Sequence, residues 1–265
     1  MKAARWSVWV LLTLSTLAAA DDAATDWGKY AVDGRRSGYT YANAETRAIQ
    51  DDEFDNPGSI WLAQGAELWP RVDGNAGKSC ASCHADAAQS MRWVGARYPV
   101  YAKELGKLVN VERRINQCRT ERMGAAAWAW ESEPLLAMTT YVKHQSLGLP
   151  VSPVIDGPAA AAFEAGKALY LQRRGQLDLA CIHCHELNHG NMLRAQRLSE
   201  GMSNGFPTYR LKWQTLGSLQ RRMSGCMHDV RAEPYADGAD EYVDLELYLA
   251  WRAHGLPIET PAVRN

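Results

Sequence analysis

The chain has 265 residues, with 29 basic and 30 acidic side chains and a formal net charge of −1. A chain of that length can form two small domains, each with a modest core. Its even charge balance, with no basic stripe and no long acidic tail, excludes the electrostatic footprint of a nucleic-acid binder.

Residues 1–20 have the shape of a secretory signal peptide. Lys2 and Arg5 form a basic start, Trp6 to Leu17 an apolar stretch, and Ala18-Ala19-Ala20 a small-residue cleavage site. The apolar stretch falls short of the about 20 residues that a bilayer span needs, so cleavage rather than anchoring is expected. No later segment is apolar enough to span, which places the mature protein in the periplasm without a membrane span. Residues 21–52 are rich in Gly, Asp and Tyr and show no sustained periodicity. They are expected to form an irregular arm packed on the body or on a partner.

From residue 53 onward the chain repeats itself, once to about Pro150 and again from Pro158 to Pro257. Each copy opens on a helix-like segment from a glycine to an aromatic, Gly65-Ala66-Glu67-Leu68-Trp69 and Gly166-Lys167-Ala168-Leu169-Tyr170. Next come Cys80-Ala81-Ser82-Cys83-His84 and Cys181-Ile182-His183-Cys184-His185, then the aromatic–proline turns at Tyr98-Pro99 and Phe206-Pro207. A lone cysteine follows 20 residues after each turn aromatic, Cys118 and Cys226, and an Arg-Arg pair precedes each at the same interval. An amphipathic helix and a Gly-Leu-Pro stop close each copy, at Gly148-Leu149-Pro150 and Gly255-Leu256-Pro257. The Pro- and Gly-rich stretch 151–158 reads as a linker. Domain boundaries are therefore set at 53–153 and 154–265.

Six cysteines in an exported chain ordinarily suggest three disulfides. Here four of them lie in two C-x-x-C-H motifs, whose thiols can add to the two vinyl groups of one haem while the histidine supplies an axial nitrogen. A zinc site or a thioredoxin-like pair needs neither the histidine in both copies nor the repeated aromatics. Two covalently bound c-type haems are thus expected, held by Cys80 and Cys83 with His84, and by Cys181 and Cys184 with His185. The fold expected is mainly α: two tandem cytochrome c-like helical domains related by internal duplication, with the irregular N-terminal arm.

The sixth iron ligand is less direct. Met138 has no methionine counterpart in the second copy, and His144 and His254 stand 46 and 48 residues from their turn aromatics, a poor match. Cys118 and Cys226 do match. They either bridge the two domains as a disulfide or each lie beside their own iron; equivalent positions in duplicated domains favour thiolate ligation at both.

The two motif-bearing units, the cysteine after each Arg-Arg pair, and the segments Arg221-Arg222-Met223-Ser224-Gly225-Cys226 and Val230-Arg231-Ala232-Glu233-Pro234-Tyr235 resemble the SoxA family. That family comprises the di-haem subunits of the SoxAX cytochromes of bacterial thiosulfate oxidation. The resemblance covers essentially the whole mature chain. It implies an enzyme that couples thiosulfate to a cysteine of a SoxYZ-like carrier, with two electrons leaving through haem and a small mono-haem SoxX-like cytochrome as partner. By the same resemblance Cys226 is the distal ligand of the second haem and the cysteine modified to a persulfide. Arg222 is the substrate-binding arginine, and Cys118 the distal ligand of the first haem. A helix over 218–226 would aim Arg222 at the Cys226 sulfur, where its planar fork suits a sulfonate. Arg221, Arg231 and His228 are secondary candidates. Two other functions fit the same motifs: a pure di-haem electron carrier, and a stand-alone thiosulfate dehydrogenase that forms tetrathionate. A di-haem peroxidase fits less well, since no paired histidine offers an open or His-lined iron.

Overall fold

A computed structural model describes residues 25–265; the signal peptide read at residues 1–20 lies outside the described residues. The arm holds an antiparallel pair, β1 (Ala31–Val32) and β2 (Arg35–Arg36), and a short helix, α1 (Ala44–Asp51). Asn43 starts that helix by accepting a hydrogen bond from the Thr46 amide at 2.8 Å. The rest of the arm is irregular. It packs on the second half of the chain, where Gln50 bonds both Glu259 and the Val263 amide.

Both units then follow one plan. The first contains α2 (Ser59–Leu68), α3 (Cys80–His84), α4 (Ala87–Ser90), α5 (Val94–Arg97), the hairpin β3 (Val100–Ala102) with β4 (Lys107–Val109), α6 (Val111–Cys118) and α7 (Glu133–His144). The second contains α8 (Ala160–Leu171), α9 (Cys181–His185), the extra hairpin β5 (Met192–Leu193) with β6 (Gln196–Arg197), the hairpin β7 (Thr208–Arg210) with β8 (Thr215–Gly217), α10 (Leu219–Asp229) and α11 (Asp240–Arg252). A last strand, β9 (Ala262–Arg264), runs parallel to β7. Asn110 and Ser218 cap α6 and α10 at equivalent places, each accepting from the amide three residues on. The two Arg-Arg pairs and the two lone cysteines therefore occupy matching turns.

The glycine of each opening segment is explained by helix crossing. α2 packs on α7 and α8 on α11. A Cβ on Gly65 would lie 2.4 Å from the Ala137 carbonyl oxygen, and one on Gly166 would lie 2.0 Å from that of Asp244. Only glycine admits such an approach. The closing helices are enclosed further than an amphipathic pattern implies, Tyr242 to Ala250 being buried apart from Asp244. The reason is exchange between units. Leu108 of the first hairpin joins the α11 core, while Tyr209 and Leu216 of the second hairpin pack with Leu136 of α7. The two Gly-Leu-Pro stops also meet, through Val151 N–H to Leu256 O and Gly255 N–H to Val151 O, each 2.9 Å.

A polar cluster lies at this joint. Glu246 of α11 is buried and accepts from Asn110 Nδ2 at 3.0 Å and Gln220 Nε2 at 2.7 Å, one donor from each unit. Glu112 of α6 and Lys143 of α7 line the same small cavity. Burial and the neighbouring Glu112 push the Glu246 carboxyl up to about 8 against Gln220, Asn110 and Lys143.

Two outcomes follow for stability. Gly166→Ala places a methyl against the α11 backbone and is expected to cost about 1–3 kcal/mol, read by denaturant unfolding of the haem-loaded protein. In the folded chain Glu246 keeps its proton up to about pH 8, whereas the unfolded chain releases it near the ordinary carboxylate value. Its contribution is therefore lost as pH rises through that window. Glu246→Gln should flatten the fall in stability between the two values, and an unchanged slope would contradict the assignment.

Candidate functional site

The motif helices stand at equivalent places and are built alike. Ser79 and Ser82 cap α3 reciprocally, the Ser82 hydroxyl accepting from the Ser79 amide at 2.9 Å. In α9 the His183 Nδ1 accepts from the Ala180 amide at 3.0 Å. His183 thus does for α9 what Ser82 does for α3, a capping role that its proximity to the motif did not disclose. Each helix holds its two thiols one turn apart with the imidazole directly after.

The lone cysteines come to these motifs and not to each other. All six cysteines are free of disulfides. The field of Cys118 acts on Cys80 and that of Cys83 on Cys118, while Cys226 acts on both Cys181 and Cys184. The bridged alternative is thereby removed. The other sixth-ligand candidates are engaged elsewhere or face solvent. Met138 is buried beside Trp69, Val111 and Val142, His144 Nδ1 lies 2.9 Å from the Thr260 carbonyl oxygen, and His254 is exposed.

His185 is set for coordination. Its Nδ1–H donates to the Ser199 carbonyl at 2.7 Å, which leaves the Nε2 lone pair available, and its ring lies close enough to the Cys226 thiol to lower the thiol's pKa. An imidazole with a fixed tautomer opposite a soft sulfur, flanked by a thiol pair, is the donor set that a covalently attached haem requires. His84 in the first unit is exposed and its ring lies 6.0 Å from that of Trp69, tilted by 38°; the Trp69 indole N–H donates to the Ala85 carbonyl at 2.9 Å.

The two arginines four residues before the lone cysteines differ. Arg114 is occupied: its guanidinium donates to Glu104 at 2.6 Å and Gln117 at 2.7 Å, and it also bonds the Tyr98 hydroxyl. In the second unit those three partners are replaced by Lys212, Gly225 and Phe206, none with a side-chain acceptor. Arg222 makes no side-chain hydrogen bond or ion pair with the described residues and lies one turn from Cys226 on α10. Burial alone would raise the half-buried Cys226 thiol; the Arg222 charge and the nearby His185 outweigh it and bring the thiol down to about 7. At Cys118 burial prevails over Arg114 and Arg122, and the thiol is raised.

The remaining cations are committed. Arg221 and Arg210 both lie over the Trp213 ring, at 4.5 and 5.0 Å, and Arg210 also bonds Gln196 and the Asn265 backbone oxygen. Arg231 bonds Gln176, and His228 is exposed. Sequence reasoning found Arg222 but missed its release from partners. Aligning the two copies at Glu104 and Lys212 would have shown it.

A duplicated helical fold with these motifs defines a c-type cytochrome that holds haem covalently. Residues 64–151 match the family model described as SoxA/TsdA, cytochrome c domain. The chain is 48% identical to the L-cysteine S-thiosulfotransferase subunit SoxA of Pseudaminobacter salicylatoxidans, over 86% of this chain and 80% of that protein. It is 44% identical to the protein of the same name from Rhodovulum sulfidophilum, over 87% and 80%. A solved structure described as SoxXA from P. pantotrophus superposes with a TM-score of 0.84 at 42% identity, covering 87% of each chain. The chain belongs to the SoxA family.

Proposed function

We propose that this chain is the thiosulfate-coupling subunit of an L-cysteine S-thiosulfotransferase, with its reaction centred on Cys226. The observation that supports this best is an Arg222 that makes no side-chain hydrogen bond or ion pair with the described residues and lies one turn from Cys226 on α10. Cys80 and Cys83 would attach a first haem, with His84 and Cys118 to donate to its iron, and Cys181 and Cys184 would attach a second, with His185 and Cys226 in the same roles. Residues 53–153 and 154–265 form the two domains, and the second contains the active site. The signal peptide directs the protein to the periplasm, where its partners are a SoxX-like mono-haem cytochrome and a SoxYZ-like carrier.

Arg222 binds the sulfonate of thiosulfate through its planar fork, which directs the outer sulfur toward Cys226. A sulfur–sulfur bond forms between that outer sulfur and the carrier cysteine. The carrier thiol releases its proton, and two electrons leave the sulfur pair, giving S-sulfosulfanyl cysteine. Bound haem supplies the acceptor for those electrons, one at a time. The Cys226 thiolate takes up the outer sulfur of a thiosulfate, whose sulfur–sulfur bond breaks to release sulfite, and the resulting persulfide anion is held by the same guanidinium.

Four measurements test this reading. Arg222→Ala should lower carrier-dependent turnover by roughly 10- to 100-fold, the loss of a charge-assisted hydrogen bond, while Arg114→Ala stays near wild type. Equal losses would remove the distinction. Tetrathionate release without any carrier would replace the proposed reaction by thiosulfate dehydrogenation. Independently, electron paramagnetic resonance of the oxidised protein should show two low-spin thiolate–imidazole signals. Intact-mass analysis should show one extra sulfur, which Cys226→Ser abolishes; a plain Cys226 thiol with full turnover in Cys226→Ser would leave only an electron carrier.

A further inference from the structure

The segment 199–201 of the second unit lies between two sets of contacts. On its inner side the Ser199 carbonyl accepts from His185 Nδ1 at 2.7 Å. Gly201, at φ +73°, lies so close to the imidazole that a Cβ there would stand 2.8 Å from its Cγ. On its outer side the buried Glu200 is fastened by the arm and by α11. Its Oε2 accepts from the Arg36 amide at 3.0 Å, its Oε1 from the Tyr41 hydroxyl at 2.8 Å, and its own carbonyl from Arg252 Nη2 at 3.1 Å. Arg252 also pairs with Glu186, the residue directly after His185.

Ser199 C=O and Glu200 N–H belong to one planar peptide unit, so fixing Glu200 fixes the direction of the carbonyl that holds the imidazole. We propose that Tyr41 of the N-terminal arm is a positioning residue for His185: acting through Glu200, it sets the strength of the Ser199–His185 hydrogen bond and with it the reduction potential of the second haem. This rests on His185 being an axial ligand, as read above. A firm Nδ1–H bond to a carbonyl makes the imidazole the stronger donor, which holds the potential down.

The device exists in one unit only. No hydrogen bond joins the His84 ring to the described residues. From His84 to Tyr98 is 14 residues, but from His185 to Phe206 is 21; the longer second segment carries the β5–β6 hairpin and the clamp. The arm contacts that longer segment directly, the Tyr41 hydroxyl also lying 3.2 Å from His189 Nδ1.

The test is a potentiometric titration of the full, haem-loaded protein, followed by electron paramagnetic resonance, in wild type, Tyr41→Phe and Glu200→Gln. The first haem in the same sample controls for folding. Both variants are expected to raise the potential of the second haem and shift its low-spin signal, with the first haem unmoved. Second-haem potentials and signals that coincide with wild type in both variants overturn the proposal, as do equal shifts at both haems. A wild-type protein with no second low-spin signal fails earlier, at the ligand assignment itself, and takes the proposal with it.

Discussion

The crossing of the opening and closing helices in each unit constrains everything else. Helices approach closely enough for backbone to touch backbone only where one of them lacks a Cβ, and Gly65 and Gly166 supply that gap. One turn beyond each glycine the chain places a large aromatic, Trp69 or Tyr170, with its ring buried. Trp69 bonds the residue after its motif histidine, and Tyr170 lies under the Arg252 guanidinium that pairs with Glu186. The crossing thus fixes the floor on which each motif helix stands. Capped helices of matching start then bring Cys118 and Cys226 to the motifs from the opposite side.

On that shared frame the two helices that carry the lone cysteines have diverged in electrostatics and not in backbone. An arginine one turn from a cysteine appears in both, yet a carboxylate, an amide and a phenol occupy it in the first unit only. Exchange of Glu104 for Lys212 alone reverses the charge opposite that turn. A guanidinium already satisfied by a carboxylate has little left to offer a sulfonate or a thiolate, and the Cys118 thiol is accordingly raised where Cys226 is lowered. The first unit keeps the architecture of a redox site. The second leaves its guanidinium without a side-chain partner among the described residues, one turn from its sulfur.

Much of this was legible from residues alone because the repeat carried it. Two C-x-x-C-H motifs, equal intervals to Cys118 and Cys226, and paired Gly-Leu-Pro stops identified the units, the fold class and the residues brought together at each site. What stayed hidden depends on approach between distant segments. The parallel pairing of β9 with β7 and the exchange of hairpins between units leave no periodic trace. His183 gives no sign in the sequence of the bond from the Ala180 amide that makes it a cap. Glu200 and Tyr41 are 159 residues apart and have no counterpart in the first copy, so the internal comparison that found the cysteines could not find them.

The joint between the units is polar where an apolar one would have been easier to build. A buried carboxyl left without hydrogen-bond partners costs about 1–3 kcal/mol, and Glu246 avoids this when Asn110 and Gln220 both reach it. These donors come from different units, at the cap before α6 and the first turn of α10, the two helices that end near the lone cysteines. A docked arrangement slipped by one turn would strand the carboxyl while leaving apolar contacts largely intact. Apolar packing alone tolerates such slips; a single acceptor shared by two donors does not. The cluster therefore specifies the relative placement of α6 and α10, and through them the relation between the two sulfur-facing sites.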